Sequence, residues 1–196
     1  DTRGAQVKNE LKTFLIATAG YFGVPHGQAI AAIRDAGFGG IELLCKPGHF
    51  EPENPAHVKE IEAALAGWPD AIITFHAPFH TADLGSTDPE VRKADVKYVA
   101  DSLRVAQQFG SRSATIHVRG RGLGAEWEDG NWTAFREALV ELVPVAAECG
   151  MALCVENMPA HRFAGKPNDL LGLLEGHPSD QLGVCFDTGH ANFAGE

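Results

Sequence analysis

The feature that most constrains the fold is a regular alternation between short apolar runs and segments with helical periodicity. The apolar runs are continuous rather than alternating with polar residues, which is typical of parallel strands covered on both faces. Six strands are predicted, at 13–19, 40–45, 71–78, 113–118, 151–159 and 182–190. Five helices are predicted between them, at 26–36, 54–67, 89–109, 132–149 and 166–176. Strict alternation of strand and helix predicts a parallel sheet with right-handed crossovers.

Two architectures are compatible with this alternation, an open doubly wound sheet and a (β/α)8 barrel. No G-x-G-x-x-G segment follows the first apolar run, which weakens the nucleotide-binding doubly wound alternative. Several different strands instead end in polar, titratable residues, as in a barrel whose site is assembled from many strand ends. We therefore expect an α/β fold of the (β/α)8 TIM-barrel type, incomplete, with six parallel strands present.

Length and composition predict one domain over residues 1–196, with residues 1–12 as a polar tail. No apolar run approaches the roughly 20 residues that cross a bilayer, so we expect no membrane association. A formal net charge of -10 makes nucleic acid an unfavourable partner. There is no signal-peptide pattern, and the four cysteines lack CxxC spacing, so reduced thiols and a cytoplasmic location are expected.

Polar side chains stand at the predicted ends of several strands or within them. They are Glu42, His76, His117, Glu156, Asn157, Asp187 and His190, with His80 on the loop after His76. In a parallel barrel these strand ends meet at one rim. Carboxylates and imidazoles that converge there would form a metal and acid–base site.

Each of these residues also has a structural interpretation. Asp187 can cap a following helix, with His190 on the surface of that helix, and Glu156 can belong to a buried salt bridge. His76 and His117 can be core residues, and Glu42 can pair with a neighbouring strand or a lysine. Two arginines, Arg119 and Arg121, fit a solvated loop better than an anion-binding element.

Four strand-end segments together resemble those of the xylose isomerase-like barrels: "FHAPF", "ATIHV", "LCVENMP" and "GVCFDTGHA". That superfamily includes sugar phosphate isomerases and epimerases, inosose dehydratases and endonuclease IV-type DNA repair enzymes. The resemblance implies that Glu156 and Asp187 are the first two of four metal ligands, and that Glu156 and His190 are catalytic. It also implies that substrate contacts come from the remaining candidates, Glu42, His76, His117 and Asn157.

The function implied by the resemblance is a metal-dependent sugar or sugar-phosphate isomerase or epimerase acting on a sugar or polyol. A carboxylate would remove the proton beside a carbonyl, giving an enediolate, and the proton would then return at the neighbouring carbon or on the opposite face. The expected cofactor is a divalent metal, Mn²⁺ first, with Mg²⁺, Co²⁺ or Zn²⁺ as alternatives.

Two other hypotheses remain open at this stage. One is an endonuclease IV-like abasic-site nuclease, with zinc bound by the histidines and carboxylates named above. The other is an inactive barrel fragment that only binds a sugar or a partner. The seventh and eighth strands of the barrel are expected to be absent, and with them the later metal ligands. We therefore expect weak metal affinity and a homo-oligomer formed through the open side of the barrel.

Overall fold

The computed structural model describes residues 11–118, 129–159 and 167–194. Within these ranges one sheet of six parallel strands has the order β1-β2-β3-β4-β5-β6. The strands are β1 (Leu15–Ala17), β2 (Gly40–Leu44), β3 (Ile72–His76), β4 (Ser113–Ile116), β5 (Ala152–Glu156) and β6 (Leu182–Cys185). Each strand pairs with the next strand along the chain, as in a barrel, which confirms the predicted fold class.

Helices connect and follow these strands. They are α1 (His26–Ala36), α2 (Pro55–Ala66), α3 (Pro89–Gln108), α4 (Asp129–Glu148), α5 (Pro167–Leu174) and α6 (Thr188–Ala194). A 3-10 turn, Thr18–Tyr21, follows β1. The first five helices lie where the periodicity predicts them, although α4 begins earlier than residue 132. The sixth occupies part of the last predicted strand, because the ladder of β6 ends at Cys185.

Local sequence signals explain where several helices begin and end. The Asp88 carboxylate caps α3 by accepting hydrogen bonds from the backbone N–H groups of Glu90 (3.0 Å) and Val91 (3.4 Å). Asn54 caps α2 in the same way through the N–H of Ala56 (3.0 Å). At the C-terminal end of α1, Gly37 has φ 96°, a left-handed conformation that glycine adopts without steric cost.

The hydrophobic core lies on the sheet and under the helices that cover it. Large side chains from strands and helices are fully buried there, including Phe75 of β3, Leu103 of α3 and Leu139 of α4. Strands β2 and β3 approach so closely that a side chain at Gly40 would collide with the backbone of Ile72. A rigid sheet of this kind fixes the positions of the strand ends, where the polar candidates lie.

No helix within the described ranges combines the length and the hydropathy that a membrane span requires. The two arginines of the predicted loop, Arg119 and Arg121, fall outside the described residues.

Candidate functional site

An open cavity of about 540 Å³ lies at the carboxyl ends of the strands. Six of the seven predicted site residues line it: Glu42, His76, His117, Glu156, Asp187 and His190. The seventh, Asn157, lies behind the cavity wall and is 4% exposed. The parallel register brings these residues together, because it aligns the ends of β2 to β6 at one edge of the sheet.

Glu156 is the centre of the site. Its Oε2 lies 2.7 Å from Nε2 of His117 and 3.3 Å from Nε2 of His76. Its other oxygen, Oε1, lies 3.3 Å from Nδ1 of His190. Glu156 is 6% exposed as a whole residue, and three imidazole rings surround its carboxylate.

Burial and hydrogen bonding act on the Glu156 carboxyl in opposite directions. Burial alone raises its pKa, but the hydrogen bonds from His117 and His76 outweigh that effect and hold the pKa well below its usual range. For His76, burial lowers the pKa, and the hydrogen bond and negative charge of Glu156, with a further contribution from Glu42, raise it overall. Glu156 is therefore ionised at neutral pH, and its charge favours the protonated form of His76.

His117 behaves differently from His76 although it makes the shorter bond. Burial lowers its pKa, and the neighbouring His76 adds to this effect. Its Nδ1 is buried and has no hydrogen-bond partner among the described residues. A doubly protonated His117 would leave a buried N–H donor unpaired, which costs free energy. His117 is therefore neutral, with its proton on the Nε2 that donates to Glu156.

Asp187 and His190 are held by a short network at the end of β6. The Asp187 Oδ1 accepts a hydrogen bond from the backbone N–H of His190 (2.7 Å), so Asp187 does cap a following helix, α6. Nδ1 of His190 lies 2.8 Å from the carbonyl oxygen of Asn157. Because a carbonyl oxygen can only accept a hydrogen bond, Nδ1 of His190 carries the proton and donates. Nε2 of His190 is then the ring nitrogen that can accept a hydrogen bond.

The side chain of Asn157 is directed at the backbone of Asp187 rather than at the cavity. Its Oδ1 accepts from the Asp187 N–H (2.5 Å), and its Nδ2 donates to the Asp187 carbonyl (2.9 Å). The resemblance implies a substrate contact for Asn157, but this geometry favours a role in holding the strand end.

Glu42 faces the same cavity from β2. It is half-buried, and its carboxylate has no hydrogen-bond partner among the described residues. Burial raises its pKa, the nearby charge of His76 opposes the rise, and the charge of Glu156 adds to it. Glu42 is a carboxyl group whose oxygens are available to an incoming hydroxyl group.

Four residues that line the cavity were not among the predicted site residues: Phe79, Cys185, Phe186 and Thr188. Phe79 packs its ring 4.7 Å from the ring of His76 and 4.3 Å from that of His117, measured between centroids. Cys185 pairs with Glu156 across the β5–β6 ladder and faces the cavity, and burial raises its pKa to about 11. Their only signal in the sequence was position, since Phe79 follows the end of β3 by three residues and Cys185 is the last residue of β6. His80, by contrast, is exposed and contacts Phe79.

Two groups of side chains have the spacing of a metal site: His76, His117 and Glu156, and Glu156, Asp187 and His190. In each group the ligand atoms lie within 4.8 Å of one another. Atoms that share an ion at bond lengths of about 2.0–2.6 Å lie at most about 5 Å apart, so both groups fit.

The hydrogen bonds distinguish the individual ligands. Nδ1 of His76 contacts the carbonyl oxygen of Ala77 (3.1 Å), which fixes the ring and directs Nε2 at Glu156, as second partners of metal-bound imidazoles do. Nδ1 of His117 has no such partner, and Nδ1 of His190 is already used as a donor. The donors best prepared for a cation are therefore the carboxylates of Glu156 and Asp187.

Comparison with known proteins identifies the family. Residues 30–196 match the family described as xylose isomerase-like TIM barrel. The chain belongs to this family.

Individual relatives agree with this assignment. An uncharacterized protein of Methanocaldococcus jannaschii is 29% identical over 176 residues, covering 86% of this chain and 57% of that protein. The D-psicose 3-epimerase of Ruminiclostridium cellulolyticum is 24% identical over 174 residues, covering 83% of this chain and 57% of that protein. The solved structure of a D-tagatose 3-epimerase-like protein superposes with a TM-score of 0.76 at 24% identity, covering 91% of this chain and 67% of that one. The chain thus spans little more than half the length of these curated relatives.

Proposed function

We propose that this protein is a metal-dependent isomerase or epimerase of a sugar or sugar phosphate. The observation that carries the proposal is the pair of carboxylates, Glu156 and Asp187, at the ends of neighbouring barrel strands with imidazoles around them. Membership of the xylose isomerase-like family and the likeness to a D-psicose 3-epimerase support this choice of substrate class.

The residues of the cavity suit proton transfer next to a carbonyl. Glu156 is the proposed base, since it is ionised and held in one orientation by His117 and His76. When it gives up a hydrogen bond from these histidines to approach the substrate, its pKa rises and it becomes a stronger base. Isomerisation needs this one carboxylate to return the proton at the neighbouring carbon, whereas epimerisation needs a second group on the opposite face.

Other residues orient the substrate in this proposal. His190 accepts a hydrogen bond from a hydroxyl group of the substrate through its Nε2, and Glu42 accepts one through its carboxylate. His76 and His117 contact those oxygen atoms of the substrate that lie close to Glu156. The ring of Phe79 covers the two imidazole rings from one side.

The proposed cofactor is a divalent metal held by Glu156 and Asp187, with Mn²⁺ preferred over Mg²⁺, Co²⁺ and Zn²⁺. Carboxylate and imidazole donors suit all four ions. When bound, such an ion acts as a Lewis acid on hydroxyl and carbonyl oxygens.

Deuterium incorporation tests the proposal sensitively, because it requires only the first proton transfer. The chain is incubated with Mn²⁺ and a panel of free and phosphorylated ketoses in D₂O, and loss of the carbon-bound proton is followed by NMR. We expect exchange at a position beside the carbonyl, absent in Glu156→Gln and retained in Glu137→Gln, an exposed glutamate outside the cavity. No exchange with any ketose, together with no Mn²⁺ binding by calorimetry, would refute the proposal.

A second candidate, an endonuclease IV-like nuclease with zinc, is favoured by one observation, the grouping of His76, His117 and Glu156. The net charge of -10 argues against it. Cleavage of an abasic-site duplex by the zinc-loaded protein, without deuterium exchange into any sugar, would favour the nuclease.

A cytoplasmic location and a homo-oligomer belong to the same proposal. The four cysteines are free thiols, which supports a reducing compartment. Exposed aromatic side chains at Phe186 (63%) and Phe193 (76%) offer an apolar surface for a second copy. Light scattering at several protein concentrations measures the oligomeric state.

A further inference from the structure

We infer that Asn157 is a positioning residue, which sets Asp187 and His190 beside Glu156. As far as metal binding is concerned, the inference rests on the proposed function. The contacts of Asn157 reach every member of the Glu156, Asp187 and His190 group, because Asn157 follows Glu156 directly in the chain and bonds to both other residues.

The side chain of Asn157 continues the sheet beyond the point where backbone pairing ends. The β5–β6 ladder closes with Glu156 opposite Cys185, and the N–H of Asn157 makes a last, longer bond to the Cys185 carbonyl (3.3 Å). Beyond that point the Asn157 carboxamide takes the place of backbone groups of β5: it accepts a hydrogen bond from the N–H of Asp187 and donates one to the Asp187 carbonyl. The peptide groups on both sides of the Asp187 Cα are therefore fixed, and the Asp187 carboxylate is held in turn by the N–H of His190.

The backbone of Asn157 holds the second member of the group. Its carbonyl oxygen accepts from Nδ1 of His190, which sets the tautomer and directs Nε2 away from Asn157. At 4% exposure the carboxamide is shielded from the cavity, so these contacts do not compete with water or substrate.

The position specifies a carboxamide in particular. An aspartate here would place an oxygen opposite the Asp187 carbonyl. An alanine would remove the partner of the Asp187 N–H and leave the Asp187 carbonyl with only the bond from the N–H of Ala191 (3.0 Å). A residue that orients a metal ligand typically changes metal affinity by about 10–100-fold when it is removed.

Calorimetric titration with Mn²⁺ separates this role from a general contribution to stability. We expect Asn157→Ala to weaken Mn²⁺ affinity by about 10–100-fold and to reduce the rise in Tm that Mn²⁺ produces. The matched control is Asn54→Ala, which removes the cap of α2 far from the cavity. The control should lower the Tm of the metal-free chain while leaving Mn²⁺ affinity and the Mn²⁺-induced shift unchanged.

Hydrogen exchange of the Asp187 amide provides a readout that needs no metal. In the wild type we expect slow exchange, because the N–H is bonded to the Asn157 carboxamide, and in Asn157→Ala or the milder Asn157→Ser we expect fast exchange. Wild-type protein that binds no Mn²⁺ would count against the proposed function alone, provided that the Asp187 amide is protected. Unchanged Mn²⁺ affinity in Asn157→Ala, or an Asp187 amide that exchanges freely in the wild type, would overturn the inference about Asn157.

Discussion

Replacement of Glu156 by glutamine should destabilise the metal-free protein by an amount that depends on pH. The substitution keeps the size of the side chain and removes the charge that accepts hydrogen bonds from His117 (2.7 Å) and His76 (3.3 Å). Hydrogen bonds to charged groups contribute about 1.5–3 kcal/mol each, and the longer of these two contributes less. The Glu156 side chain is 8% exposed, so solvent screens its charge little.

The expected loss is therefore about 2–4 kcal/mol near pH 5.5, which for a chain of this length lowers Tm by about 4–16 °C. The sign of the pH dependence follows from the two pKa shifts. The lowered pKa of Glu156 contributes stability above its ordinary value of 4.5, which is lost as the pH falls towards the folded-state pKa. The raised pKa of His76 contributes stability below its ordinary value of 6.5, which is lost as the pH rises through the folded-state pKa.

The difference in unfolding free energy between wild type and Glu156→Gln should thus be largest between about pH 4.5 and 6.5 and smaller at pH 9. Urea denaturation in the presence of EDTA measures it at each pH without any contribution from bound metal. Glu137→Gln serves as the control, because its exposed ion pair with Arg92 should be worth less than about 1 kcal/mol. A difference that is independent of pH, or larger at pH 9 than at pH 5.5, would show that Glu156 and His76 are not coupled as described.

Three further outcomes are expected. Leu139→Ala should reduce the unfolding free energy by about 2–5 kcal/mol, because Leu139 is fully buried, and urea denaturation measures this loss. Asp187→Asn should change stability by about 0.5 kcal/mol or less, since both residues cap helices equally well, but calorimetry should show weaker Mn²⁺ binding. Burial first, then neighbouring histidines, lower the pKa values of His26 and His49, so these two residues should contribute a loss of stability as the pH drops below 6.5, opposite in sign to the contribution of His76. His49→Gln should flatten that slope relative to wild type, and an unchanged slope would contradict this reasoning.

The sequence predicts the barrel well because the signals for it are local and repeated. Each strand is a continuous apolar run, each of the first five helices has an apolar face, and alternation alone imposes parallel pairing of successive strands. The same regularity brings the strand-end residues to one edge of the sheet. The convergence of Glu156 with His76 and His117 therefore follows from the strand boundaries, without any contact being visible in the sequence.

What the sequence could not provide are the hydrogen bonds that orient the converging groups. The carboxamide of Asn157 meets the backbone of Asp187 across 30 positions of the chain, and nothing near Asn157 indicates that it turns away from the cavity. The sequence also does not show that Nδ1 of His117 lacks a hydrogen-bond partner within the described part of the chain, because this depends on which groups lie behind the ring. Helix α6 was foreseen only as an alternative, since seven residues that include Gly189 give too little periodicity to distinguish a helix from the end of a strand.

The end of β6 shows why the structural and the chemical interpretations of Asp187 do not exclude each other. Its Oδ1 caps α6 through the N–H of His190, while its Oδ2 is left 3.9 Å from the His190 ring and faces the cavity. The cap itself brings His190 next to Asp187, and the Asn157 carbonyl then fixes the ring. A single local structure, a capped helix start held by a carboxamide, thus creates the spacing of the candidate metal site. Any substitution that preserves the cap but removes the charge separates the folding role of Asp187 from its proposed chemical role.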